Sequence, residues 1–221
     1  LNPLCLMLVY FLVFRFYIRF NEVEHYAIFL FCGLLPWLWV SSGLIEGANS
    51  VISSGHLITK SMFPAHILPT VAMCVALINF LLSLPLLFMF ILFSGLSLHA
   101  TLCLLPLLIG LEFVFLWGMA LMLSALNVYY RDVQHIIANL LTLVFFLCPI
   151  LYPPKVVPPQ FRFLVDLNPL AAITGCYHDL ILSGAAPSWQ TWSWIGVWAV
   201  LSALVGNLVF NHYRESFAEL L

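Results

Sequence analysis

Residues 61–111 read SMFPAHILPTVAMCVALINFLLSLPLLFMFILFSGLSLHATLCLLPLLIGL, an unbroken run of 51 positions between Lys60 and Glu112 without one Asp, Glu, Lys or Arg. A hydrocarbon core about 30 Å thick takes about 20 helical residues to cross, so this run is too long for one crossing and long enough for two. Its cluster of turn-forming residues, Ser94-Gly95-Leu96-Ser97-Leu98-His99, divides it into spans over 67–93 and 100–125.

The remaining charges bracket similar gaps. There are 21 uncharged residues between Glu24 and Glu46, 22 between Asp132 and Lys155, and 34 between Asp179 and Arg214, with residues 1–14 ahead of Arg15. Six spans follow, at 4–18, 26–45, 67–93, 100–125, 133–151 and 190–210. The last opens on Trp189, Trp192, Trp194 and Trp198, indoles suited to a membrane–water interface. Seven Lys and Arg and nine Asp and Glu make up 7% of the 221 residues, 64% are hydrophobic, and the mean hydropathy is +1.10. Such a composition cannot cover a water-soluble surface, and the expected fold is an all-α integral membrane protein with one transmembrane domain over 1–221.

A net charge of −2 without a basic block attracts no nucleic acid. Six cysteines lie 27 to 45 residues apart with no CxxC, and seven scattered histidines form no ligand pair, so neither a disulfide framework nor a metal site is expected. The chain opens at Leu1 without an initiator Met or a charged leader, from which residues upstream are expected to be missing.

Between Pro153 and Ser188 the chain is too proline-rich for one straight helix and too apolar for an aqueous loop. Asn168-Pro169 reads as an N-cap with Pro at the first helical position, opening an apolar segment of about 14 residues that closes at Ser183-Gly184. That is too short to span. A re-entrant or interfacial helical pair between the fifth and sixth spans is expected, its shorter member at 160–165; the alternative is an amphipathic surface loop.

An even number of spans puts both termini on one side. Lys60, Arg131 and Arg214 then lie opposite Arg15, Arg19, Lys155 and Arg162, three against four, and positive-inside counting does not choose an orientation.

The polar segment 46–66 could form a short surface helix with Val51, Ile52, Leu57 and Ile58 toward the bilayer. Asn49, Ser53, Thr59 and Lys60 would then face outward to dock a soluble partner; otherwise the segment is a plain connector. Tyr129-Tyr130-Arg131-Asp132 closes the fourth span, with Asp132 capping the fifth helix and Arg131 free for a partner, or both serving as interface anchors. Glu112 sits near the middle of the fourth span, where an ionisable group is costly and a functional candidate by default. It suits either proton coupling, though no second buried charge offers a relay, or a structural hydrogen bond.

Tyr10, Phe14 and Tyr17 in the first span, and Phe145, Pro149 and Tyr152 in the fifth, fall at i, i+4 and i+7 on one helix face each. Sugars stack on aromatic rings and slide along them, so such faces suit a glycan path; lipid contact or helix packing uses them equally well. No GxxxxGK[ST] occurs, so any ATP is hydrolysed by a partner. GxSxG, HxxxxD and DxxD are also lacking, and Asp166 and Asp179 stand 13 residues apart, which argues against a membrane transferase or hydrolase.

Several blocks recur in an order and spacing that covers nearly the whole chain. They are Phe31-Cys32-Gly33-Leu34-Leu35-Pro36-Trp37, Gly47-Ala48-Asn49-Ser50, and Lys60 with Phe63-Pro64 and Ile67-Leu68-Pro69. LSALNVYYRD at 123–132, PILYP at 149–153 and LNPL at 167–170 complete the set. Together they resemble the membrane subunit of type-2 ABC exporters of cell-surface polysaccharide.

The resemblance implies a homodimer of six-helix subunits in the bacterial inner membrane, both termini cytoplasmic, each docked on an ATPase subunit that uses ATP and Mg while this chain binds no cofactor. The cargo implied is a lipid-linked polysaccharide such as O-antigen, capsule or teichoic-acid chains. Residues 46–66 become the cytoplasmic coupling loop, with Asn49, Ser50, Ser53, Lys60, Arg131 and Asp132 toward the ATPase. Residues 153–188 become the external re-entrant region around Asn168 and Pro169. Tyr10, Phe14, Tyr17, Phe145 and Tyr152 become the conduit lining at the dimer interface. The family's usual amphipathic segment before the first span is not among these residues, and Glu112 matches none of its motifs. A proton-coupled secondary transporter using Glu112 and a structural membrane scaffold are the alternatives.

Overall fold

The computed structural model describes residues 26–56, 63–130 and 132–217, and among them it is helical, with no strand. The predicted first span with Tyr10, Phe14 and Tyr17, and the residues Lys60 and Arg131, lie outside the described residues. The helices are α1 (Tyr26–Ser53), α2 (Ile67–Phe93), α3 (Leu105–Tyr129, entered through a 3-10 turn at Ala100–Leu104) and α4 (Val133–Leu147). They are followed by α5 (Arg162–Asp166), α6 (Pro169–His178, prolonged by a π turn at Asp179–Ser183) and α7 (Trp189–Tyr213).

Among the described residues four helices, α1, α2, α3 with its 3-10 turn, and α7, are long and apolar enough to cross a membrane. At about 1.5 Å per residue they run to roughly 37–45 Å. The break between α2 and α3 falls where the Ser94-Gly95 cluster predicted it, with Gly95 at φ 77°, a conformation that favours glycine.

The expected fifth span over 133–151 is shorter than read: α4 has 15 residues, about 22 Å, and stops at Leu147. Pro149 sets that limit, because the residue before a proline avoids helical backbone, and Cys148 is extended at φ −85°, ψ 142°. Phe145, Pro149 and Tyr152 therefore do not share one helix face. The break is closed by protein: Tyr152 Oη donates to Phe146 O at 2.8 Å, Tyr26 Oη donates to Leu151 O at 2.7 Å, and Cys148, Pro149 and Ile150 are buried. Irregular backbone at membrane depth requires such cover.

α1 is enclosed along most of its length, whereas α2, α3 and α7 keep broad outer faces. Leu82 is 72% exposed and Phe93 89%, as expected of side chains that meet lipid. Between helices in lipid the hydrophobic effect offers little, so close approach and polar contacts decide packing. Small residues supply the approach. A β-carbon on Gly118 would overlap the Ser202 backbone, one on Gly206 would overlap the Gly118 carbonyl, and Ser202 Oγ donates to Phe115 O at 2.7 Å. On α1, β-carbons at Gly43 and Gly47 would stand 2.9 Å from Met73 Cε and 2.8 Å from Ala120 Cβ.

Candidate functional site

The segment read as a loop from residue 46 begins instead as the last two turns of α1, which runs on to Ser53. No proline falls between Glu46 and Ser53, and the serines accommodate themselves by back-bonding, Ser50 Oγ to Gly47 O at 2.7 Å and Ser53 Oγ to Ser50 O at 3.1 Å. Val51 does not face the bilayer as expected: it is buried with Leu121, Ala125, Val128, Phe210 and Phe217, where the C-terminal ends of α1, α3 and α7 converge. Ser50 is buried too. Glu46 and Ser53 are exposed and Asn49 half-buried, so these three form the accessible polar side of this end of α1.

Asn127 ties that end to the next turn. It is 1% exposed; its Nδ2 donates to Ala48 O at 3.0 Å, and its Oδ1 accepts from Gln134 N at 3.3 Å. Asp132 stands at the N-cap position of α4 but makes no side-chain capping bond, contrary to the expected cap. The orphan amide of the first turn of α4 is met from α3 by Asn127 instead. One buried amide thus joins the 46–53 segment to the start of α4 just after Asp132, the two places expected to meet a partner. Asn127 stood within a motif block but was not singled out; its signal was a lone amide in the apolar run 123–128.

At the opposite end of the bundle α6 starts as read: Asn168 Oδ1 accepts from Leu170 N at 3.0 Å, with Pro169 at the first helical position. The two segments expected to pair differ in burial: residues 162–166 make a single turn that exposes Phe163 between exposed Phe161 and Leu167, whereas α6 is largely buried. Glu112 is fully buried in α3, and its Oε2 accepts from Tyr177 Oη of α6 at 2.6 Å.

Of the expected conduit residues, Phe145 and Tyr152 are described. Both are half-buried and stand on either side of the break at Cys148. Phe145 packs on Trp37 with centroids 5.6 Å apart, while Phe146, which was not singled out, is 59% exposed and is the open aromatic of α4. Among the described residues no cluster of His, Cys, Asp and Glu could hold a metal, and the cysteines are unpaired.

Residues 1–181 match the model of the ABC-2 type transporter family. The chain belongs to the ABC-2 type transporter family. It is 34% identical over 221 residues to the O-antigen export system permease protein RfbA of Myxococcus xanthus, a match covering 99% of this chain and 85% of that one. Two proteins of the same name from Klebsiella pneumoniae are each 27% identical over 221 residues, covering all of this chain and 85% of theirs. As a permease of this family the chain is a transporter subunit rather than an enzyme, and ATP hydrolysis belongs to a separate subunit. A multi-pass ABC-2 permease accounts for the long apolar helices and the lipid-facing exterior.

Proposed function

We propose that the permease is the membrane subunit of an ATP-driven exporter of lipid-linked polysaccharide of the O-antigen type. It works as a homodimer in the bacterial inner membrane with both termini in the cytoplasm. ATP and Mg are bound by the partner subunit, and this chain binds neither. Similarity along this chain to O-antigen export permeases supports the cargo.

The observation that carries the mechanism is the Asn127 junction. Glu46, Asn49 and Ser53 on α1 form the coupling surface together with Lys60, Arg131 and Asp132, whereas Ser50 is buried behind it. Because Asn127 bonds to both α1 and α4, a push on either segment moves both. α1 is continuous from Ser53 to Tyr26, roughly 42 Å, so it carries that movement to the far end. There the glycan advances over aromatic rings of two copies: Tyr10, Phe14, Tyr17, Phe145 and Tyr152, joined by Phe146. The face of α4 with Ile136, Leu140, Leu143 and Phe146 exposed at i, i+4, i+7 and i+10 meets the second copy.

The test is to purify the tagged chain in mild detergent and measure what co-purifies, its stoichiometry and its ATP hydrolysis. An ATPase subunit at one per copy, with hydrolysis uncoupled from export in an Asn49→Ala, Lys60→Ala variant, is the expected result. A chain that stays free of any ATPase and carries a protonophore-sensitive flux abolished by Glu112→Gln would sink the proposal in favour of secondary transport.

A further inference from the structure

The exporter mechanism above makes no use of Glu112, yet this carboxyl is the polar key of the helix at the far end. Beyond the Asn168 Nδ2 contact to Cys148 Sγ at its N-cap, 3.4 Å, α6 and the π turn that prolongs it are held by three side-chain hydrogen bonds from three different elements. Tyr177 Oη donates to Glu112 Oε2 of α3 at 2.6 Å. His178 Nε2 donates to Phe29 O of α1 at 2.9 Å, its ring stacked on Phe29 with centroids 4.0 Å apart. Thr101 Oγ1 in the 3-10 turn donates to Leu180 O at 2.9 Å. Around Tyr177 the packing is aromatic, with Phe80 edge-on at 6.1 Å and Trp39 stacked on Phe80 at 4.9 Å. Rings of this kind fill space but set neither the depth nor the rotation of a ten-residue helix; hydrogen bonds do.

Among the described residues Tyr177 is the one hydrogen-bond partner of Glu112, and Oε1 is buried without one. The helix it holds continues into the π turn at Asp179–Ser183, an irregularity frequent at functional sites. We propose that Glu112 is a positioning residue: through Tyr177 it fixes α6 in the docked place that the export path requires. The inference rests on the exporter reading for its transport consequence, but the docking itself has a readout that needs no substrate.

Cys176 supplies that readout, being 2% exposed beside Tyr177, while Cys32 in α1 is 0% exposed and Cys103 is exposed. The complex with its ATPase, in membrane vesicles, is treated with a thiol reagent and assayed for ATP-driven export. Glu112→Leu and Tyr177→Phe are each expected to speed Cys176 labelling and cut export by roughly tenfold, the loss of one buried hydrogen bond. Cys32 stays protected and Cys103 reacts as in the parent. The double variant is no worse than either single one, because both remove the same contact. Glu112→Gln, whose amide oxygen still accepts from Tyr177, restores most of both readouts.

Equal loss in Glu112→Gln and Glu112→Leu with Cys176 still protected would overturn the proposal, since the proton and not the bond would then matter. Labelling of Cys32 together with Cys176 would overturn it as well, by making the pair a general requirement for folding. Additive losses in the double variant would do the same. Failure of the exporter reading looks different: the unmodified complex itself would show no ATP-dependent export, whatever Cys176 does.

Discussion

At the scale of single residues, the permease's polar side chains divide by whether a neighbour needs them. Asn127 answers two backbone groups on two other elements, so Asn127→Ala leaves Gln134 N–H and Ala48 O without that partner. A loss of about 1–3 kcal/mol is expected, read as a lower thermal midpoint in detergent, together with export lost faster than ATP hydrolysis. Asp132 makes no cap bond, so Asp132→Ala is expected to change stability by less than about 0.5 kcal/mol. A large drop in its midpoint would show a contact that the fold does not contain. Asn168 was legible in advance because the Asn-Pro pair signals a cap locally. Asn127 was not, because its partners lie 79 and 7 residues away.

At the scale of helices, glycines that look alike in sequence differ by what they face. Gly206 and Gly118 set the closest approach of α3 and α7, and Gly206→Leu is expected to separate the two helices, seen as loss of the folded monodisperse species on size exclusion. A β-carbon on Gly110 would meet nothing within 4 Å, so Gly110→Ala costs no packing and should hold or raise the thermal midpoint, by up to about 1 kcal/mol of helix propensity. If both substitutions behaved alike, close packing would not be what holds α3 to α7. The helix ends follow the same division. Pro149 ends α4 through a local rule that the reading of a span to residue 151 overran, whereas the end of α2 at Ser94-Gly95 was readable from its glycine. The extension of α1 to Ser53 was not, because Gly47, a weak helix former on its own, is favoured there by contact with Ala120.

For the whole molecule, the proposed dimer predicts which surfaces meet. In a background without native cysteines, Phe146→Cys should form a disulfide-linked dimer under mild oxidant in membranes, whereas Leu82→Cys on the outer face of α2 should not. Cross-linking through position 82 and none through 146 would move the interface to α2. By itself the sequence determined that this is an all-helical membrane permease. The length of uncharged runs between charges reports the thickness of the bilayer, and the ordered motif blocks resemble one exporter family. Only the tertiary structure decided that Asn127 joins the two coupling segments and that Glu112 grips α6 through Tyr177. Those are contacts between residues distant in the chain, and in a bilayer, where every helix is apolar, periodicity does not reveal which face of one helix meets which face of another.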